Sequence, residues 1–268
     1  MKAIQIGTDL PKDKLNDIIN SSNLSNHMDY HSFNNRDIYS FKIENKEYDD
    51  ILTYNKMADL VQNIINELYM KSLIKKRTEY LLRGFLDDEF TEIEDIVYEV
   101  LLDDSLFKNE KTSLKLEIRD YLASNKSIII DGYLRFRERS FVDLIDRIIE
   151  KVVMEIQMEE EYNDFVNMLR YYIDLQIPKV ETINLVIRGK EFILMDERKN
   201  VIECRSIVEF EDDDVSKADI ILSSLIILSP RNIVVHIKND KEKELMDVLK
   251  SLFMNRVKFC YSCKICDD

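Results

Sequence analysis

Residues 127–187 read SIIIDGYLRFRERSFVDLIDRIIEKVVMEIQMEEEYNDFVNMLRYYIDLQIPKVETINLVI, and the period of their apolar residues changes twice. Ile128, Ile129 and Ile130 are β-branched and stiff at χ1, which favours extended backbone. After Asp131-Gly132 the apolar residues recur at three- and four-residue steps: Phe141, Ile145, Ile148, Val152 and Ile156, widened by Val142, Ile149 and Val153. That is the broad stripe of a core-facing helix. Asp131 stands where an N-cap carboxylate accepts from otherwise unpaired amides. Glu159-Glu160-Glu161 favours a second helix start, because negative charge complements the positive end of a helix dipole. Tyr162, Phe165, Val166, Leu169, Tyr172 and Ile173 supply its face, and Pro178 ends it by biasing Ile177 out of the helical region. Ile183, Leu185 and Ile187 then alternate as in a half-buried strand. The stretch predicts a strand, two long helices packed as an antiparallel pair, and another strand.

Working outward, Lys2–Gly7 reads as a strand and Asp9-Leu10-Pro11 as a helix start, with Leu15, Ile18 and Ile19 as its buried face. Tyr39, Phe41 and Ile43 alternate, giving a β-α-β reading of the first fifty residues. From Asp50 the period is helical, through Met57, Leu60, Val61, Ile64, Ile65 and Leu68 to an end at Gly84. Thr91 and Glu94 have capping-box spacing ahead of Ile96, Val97, Val100 and Leu101. Leu114 to Ala123 is a further helical segment closed by Asn125-Lys126. On the C-terminal side, Arg188-Gly189-Lys190 suits a hairpin turn between Ile183–Ile187 and Phe192–Met195. Val201 to Val208 extends the meander, and Ile220–Leu228 forms an apolar helix ended by Pro230. A strand at Ile233–Ile237, a helix at Leu245–Phe253 and a strand at Val257–Cys260 imply a right-handed parallel unit.

These elements give an α+β fold class, with a central helical core, a C-terminal mixed sheet built from the hairpin or meander plus the βαβ unit, and a small N-terminal βαβ element. Three regions result: 1–49, whose strands are available to join the C-terminal sheet; a helical region at 50–178; and an α/β region at 179–268 with a cysteine-rich tail.

The chain has 268 residues, 45% apolar and 34% charged, enough to bury a sizeable core. Its four glycines and three prolines argue for long elements over extended linkers. A net charge of −14 repels nucleic acid and anionic membranes at long range. No apolar run approaches the ~18 residues that span a bilayer, and MKAIQIGTDLPKDK lacks the apolar core of a signal peptide. The expectation is a cytosolic protein without membrane insertion, whose four cysteines are thiols or metal ligands.

The sharpest chemical pattern is Cys260-Tyr-Ser-Cys263-Lys-Ile-Cys266. Thiolates at these spacings can converge on one zinc ion or on an iron–sulfur cluster; the run matches three cysteines of a ferredoxin motif and lacks the fourth. Cys204 can complete the set, as can His236, which sits on the strand expected beside Cys260. The competing reading is a frayed tail with free thiols. A second pattern is Arg135, Arg137 and Arg139 with Arg170, whose planar guanidinium groups suit phosphate or nucleic-acid recognition. Ordinary ion pairing with the many carboxylates explains the same residues. No nucleophile is paired with a histidine and an acid, and there is no phosphate-binding glycine loop.

Ile130–Arg137, Glu160 to Gln176 with Pro178-Lys179-Val180, and Leu222–Ile226 to Ser229-Pro230 resemble the YtxC-like sporulation protein family in order and spacing. Together these pieces cover about half the chain; the first hundred residues carry no motif of that family. The resemblance implies a cytoplasmic protein of endospore-forming bacteria and brings with it no reaction or cofactor. The leading functional expectation is therefore a non-enzymatic, sporulation-associated protein that acts through contacts with a protein partner. The alternatives are a metal-binding or redox protein using the cysteine tail, and a phosphate-ligand or nucleic-acid module using Arg135, Arg137 and Arg170.

Overall fold

A computed structural model describes residues 2–9, 12–22, 28–33, 36–43, 50–83, 87–189, 191–203, 216–237 and 243–267. The expected helix start at Pro11, helix end at Gly84, Cys204 and the later part of the expected strand to Val208 lie outside the described residues. The chain is α+β and divides into two compact units, Met1–Gln157 and Met158–Asp268.

In the first unit β1 (Lys2–Thr8), α1 (Lys12–Ser21), β2 (Met28–Phe33) and β3 (Arg36–Ile43) are joined much later in the chain by β4 (Ser127–Ile129). The sheet order is β2-β3-β1-β4, with β1 antiparallel to β3 and parallel to β4. Register explains the choice of partners. Tyr39, Ile6 and Ile128 lie side by side across three strands, and all are buried. The element expected as β-α-β has an extra strand, β2, which polar Asp29, His31 and Ser32 conceal in the sequence. Among the described residues its strands share a sheet with β4, and the C-terminal strands form a sheet of their own.

Helix α2 (Asp50–Ile65) runs through a π turn (Asn66–Met70) into α3 (Lys71–Leu81). Met57, Leu60, Val61, Ile64 and Ile65 form the anticipated buried stripe. One extra residue in the π turn rotates the succeeding turns of helix, so Met70 and Ile74 return to the core. Helix α4 (Asp87–Leu102) starts before Thr91, which is therefore interior and not a cap. Helix α5 (Lys108–Asn125) ends at Lys126 in the left-handed conformation, with φ 56°.

The largest departure from expectation is α6 (Ile130–Leu175), a single helix of 46 residues where two were anticipated. The glutamates at 159–161 are good helix formers on an exposed face, and no proline or glycine lies between residues 133 and 175 to break the ladder. Asp131 is not an N-cap either. Its Oδ2 accepts from the Asp9 N–H at 2.7 Å and its Oδ1 from the Tyr69 hydroxyl at 2.9 Å. Tyr69, placed by the π turn and 2.6 Å from Thr8 Oγ1, has its phenol pKa raised chiefly by burial. Arg77 grips Asp146 of α6 with two bonds of 2.7 and 2.6 Å.

In the second unit β5 (Thr182–Arg188), β6 (Glu191–Met195), β7 (Val201–Ile202), β8 (Asn232–Ile237) and β9 (Val257–Cys260) form a sheet of order β7-β6-β5-β8-β9. The β5–β6 hairpin turns at Gly189, whose φ of 60° favours glycine. Strands β5, β8 and β9 run parallel, joined by α7 (Lys217–Leu228) and α8 (Lys243–Phe253). Strand parity buries Ile183, Leu185, Ile187, Ile233, Val235 and Ile237 in one cluster with Val166 and Ile173 of α6, Ile221 and Leu225 of α7, and Leu249 of α8. The alternate residues, Asn184, Val186, Val234 and His236 among them, occupy the opposite face. A one-turn helix, α9 (Lys264–Asp267), succeeds β9. Among the described residues no helix is long and apolar enough to cross a membrane.

Candidate metal centre

The candidate site forms where β8 and β9 end side by side. His236 is the register partner of Cys260, so strand pairing alone brings an imidazole and a thiol to one edge of the sheet. The chain then turns, Cys266 N–H donating to the Cys263 carbonyl at 2.9 Å, and α9 carries Cys266 back over His236. Arg188 holds the same turn from β5, its Nη2 donating to the Ile265 carbonyl at 3.4 Å.

Four donor atoms converge as a result: His236 Nδ1 and the sulfurs of Cys260, Cys263 and Cys266, all within 4.8 Å of one another. Cys263 Sγ is 3.2 Å and Cys266 Sγ 3.6 Å from His236 Nδ1. The Cys263–Cys266 and Cys260–Cys266 sulfur separations are 3.6 and 3.9 Å. With Zn–S near 2.3 Å and Zn–N near 2.0 Å, a tetrahedron places two sulfurs about 3.8 Å apart and a sulfur about 3.5 Å from the nitrogen. The donor set fits one tetrahedral zinc ion. An iron–sulfur cluster divides its ligands among two or more irons and so spreads them more widely than a group whose donors all lie within 4.8 Å of one another.

The orientation of His236 is fixed from behind. Asn184, its neighbour on the same face of the sheet, donates from Nδ2 to the Asp196 carbonyl at 3.2 Å, a group that can only accept. That leaves Asn184 Oδ1 facing His236 Nε2 at 3.1 Å, where it accepts the ring N–H. The tautomer is thereby set, and Nδ1 keeps its lone pair toward the sulfurs. Such outer hydrogen bonds are the usual support of a metal-binding imidazole.

Electrostatics agree. Burial lowers the His236 pKa from its ordinary 6.5, so the ring is neutral near pH 7. The Cys266 N–H holds the Cys263 thiol below its ordinary value, with the Cys266 and Cys260 thiols and the Ile265 N–H adding to the effect. Burial pushes the Cys266 thiol up to about 11, and it donates to the Cys260 carbonyl at 3.3 Å. An ion entering this group displaces those protons, and a cation's own charge then outweighs the local desolvation.

The structure thus brings Cys260, Cys263, Cys266 and His236 together, while Cys204 lies outside the described residues. Sequence reasoning missed Asn184 and Asp196. The available signal was a lone amide inside the apolar run Ile183–Ile187, on the same parity as His236. The arginines are placed differently. Arg135 and Arg137 are exposed on the first unit, Arg137 Nη1 lying 3.5 Å from Glu117. In the second unit Arg170 donates from Nε to the Ser251 carbonyl and from Nη1 to Asn167 at 3.1 Å.

A family model described as the YtxC-like family matches residues 52–258. A protein of Bacillus subtilis (strain 168), described as "Uncharacterized protein YtxC", is 25% identical over 165 residues. The alignment covers 58% of this chain and 57% of that relative. No solved structure matches the chain. The family match takes in Asn184 and His236 and stops two residues before Cys260.

Proposed function

The chain belongs to the YtxC-like family, and from the geometry of its C-terminal unit we propose that it is a metal-binding protein holding one zinc ion through His236, Cys260, Cys263 and Cys266. The observation that carries this reading is the convergence of four donors at tetrahedral spacing, with the imidazole presented through Nδ1 and tied back through Nε2. Four protein ligands close the coordination shell and leave no position for water or substrate, so the ion's role is structural and the protein is not a zinc hydrolase. The wider reading is a cytosolic, non-enzymatic protein that acts through protein contacts in sporulating cells. Its support is the family resemblance, and a reducing cytosol is the compartment that keeps such thiolates available.

The test is metal analysis of full-length protein purified anaerobically with a non-chelating reductant. The expected result is one zinc per chain and no visible absorption, with cobalt substitution giving the intense absorption of tetrahedral thiolate coordination. Cys263→Ser is expected to lose stoichiometric metal. Protein that carries no metal, or whose metal content is the same in Cys263→Ser, overturns the reading. A visible iron–sulfur spectrum replaces zinc with a cluster.

A further inference from the structure

Within the second unit α6 has two apolar faces. One is used: Val166 and Ile173, two turns apart, are buried against the sheet. The other is open. Met158, Tyr162, Phe165, Met168, Tyr171, Tyr172 and Leu175 are each between 50% and 68% exposed. A surface helix ordinarily pairs one apolar stripe with a polar opposite face, so a second stripe requires a partner.

Its spacing indicates what kind. Positions 158, 161, 165, 168, 172 and 175 advance by alternating steps of three and four, the seam repeat of paired helices. Five of the six are Met, Phe, Met, Tyr and Leu, and the sixth is Glu161. We propose that this seam packs against the same seam of a second copy of the chain, the two helices running antiparallel.

Two features select a second copy in that orientation. The seam is its own complement when reversed: Met158 meets Leu175, and Phe165 meets Met168, around a two-fold axis between residues 166 and 167. Such self-complementarity is what an isologous interface demands. Glu161 then decides direction. In a parallel pair it faces its own copy, two carboxylates opposed at a core position, and the acidic run Glu159–Glu161 is stacked on itself. Reversal sets Glu161 opposite Tyr172, whose phenol hydroxyl can donate to the carboxylate, and moves the two acidic runs to opposite ends of the seam. The area is sufficient. At about 200 Å² for a fully exposed large side chain, the five apolar seam residues offer roughly 600 Å² per copy, the lower end of one side of a stable interface.

The experiment is sedimentation velocity on the full-length chain across the micromolar range. The expected species has twice the mass of one chain. Phe165→Glu combined with Met168→Glu is expected to sediment as a monomer, with metal content and helical circular dichroism unchanged because both side chains are exposed in the single chain. Orientation is read with Tyr172→p-benzoylphenylalanine: ultraviolet light is expected to crosslink it to the partner's 158–165 segment. A wild-type monomer overturns the proposal, including one that captures an unrelated amphipathic helix. So does a dimer that survives the double substitution, and a crosslink from position 172 to the partner's own 172 region overturns the antiparallel arrangement. None of these outcomes depends on whether zinc is present.

Discussion

Replacing Asn184 with alanine isolates what the outer hydrogen bond does for the proposed metal centre. In the structure the amide is fixed at both ends, Nδ2 on the Asp196 carbonyl at 3.2 Å and Oδ1 on His236 Nε2 at 3.1 Å. Alanine removes the acceptor from a ring that is 5% exposed, so the Nε2–H loses its partner and the proton is free to move to Nδ1. Binding zinc must then select both tautomer and ring angle. A neutral hydrogen bond contributes about 0.5–1.5 kcal/mol, and loss of an outer partner of a metal-bound imidazole typically lowers affinity about tenfold to a hundredfold, or about 1.4–2.7 kcal/mol. The expected weakening is roughly thirtyfold. Competition against a chromogenic chelator in reducing buffer measures it directly. Asn184→Asp keeps an acceptor for Nε2–H and loses only the donor to Asp196; it is expected to bind zinc within about threefold of wild type while being less stable. Wild-type affinity in Asn184→Ala refutes the reasoning. Equal weakening in both variants refutes the tautomer argument in favour of packing.

Chelation of the metal is expected to speed hydrogen exchange at residues 261–267 while β5 and β8 stay protected; a sheet that melts with the tail shows that the ion supports the whole unit. Asp196 accepts from the Asn200 side chain and from the backbone N–H groups of Asn200 and Arg198, which hold its carboxyl below the ordinary 3.8. A depressed folded-state pKa contributes stability that is present above the unfolded value and lost as pH falls through the folded value. NMR titration should give a midpoint below 3.8 for Asp196, and Asp196→Asn should remove that share of the acid sensitivity. Gly189→Ala forces a side chain into a φ of 60° and is expected to cost about 1 kcal/mol in a urea melt; a neutral result means the hairpin turn relaxes.

Much of the C-terminal unit was legible because its signals are periodic. Ile183, Leu185 and Ile187 alternate, Gly189 permits the turn, Pro178 stops α6, and the strand-helix-strand order after Pro230 leaves one handedness for β8 and β9. The register of that parallel pair brings His236 beside Cys260. The misleading signals were local motifs whose meaning depends on context. A glutamate run is favourable at a helix start and equally content on a solvated face of a longer helix, so residues 159–161 carry no boundary. Thr91 and Glu94 have cap spacing, but a cap requires the chain to leave helical geometry, and α4 is already helical at that point. Asp131 has the right chemistry for a cap and is used instead to join β1 to the π turn, a pairing across more than sixty residues that no local pattern contains.

The donors of the proposed metal centre come from two kinds of structure, and that division is the argument for an ion there. His236 stands on a central strand of the sheet, with Asn184 behind it, inside the segment shared with the family. The remaining donors come from the last residue of β9 and from residues 261–267, which include a helix of four residues. One turn of helix does not hold itself together in water, because nucleation fixes several residues for a single hydrogen bond. The tail has little apolar burial to offset this; among its described residues Cys266, at 8% exposed, is the one in the core. Its position over β8 therefore rests on the Arg188–Ile265 contact and the sulfur contacts themselves. A short element with so small a core needs a staple, and a preformed imidazole facing three thiols supplies the place for one. On the proposed reading the sheet presents one ligand ready-made, and a bound ion would recruit the rest.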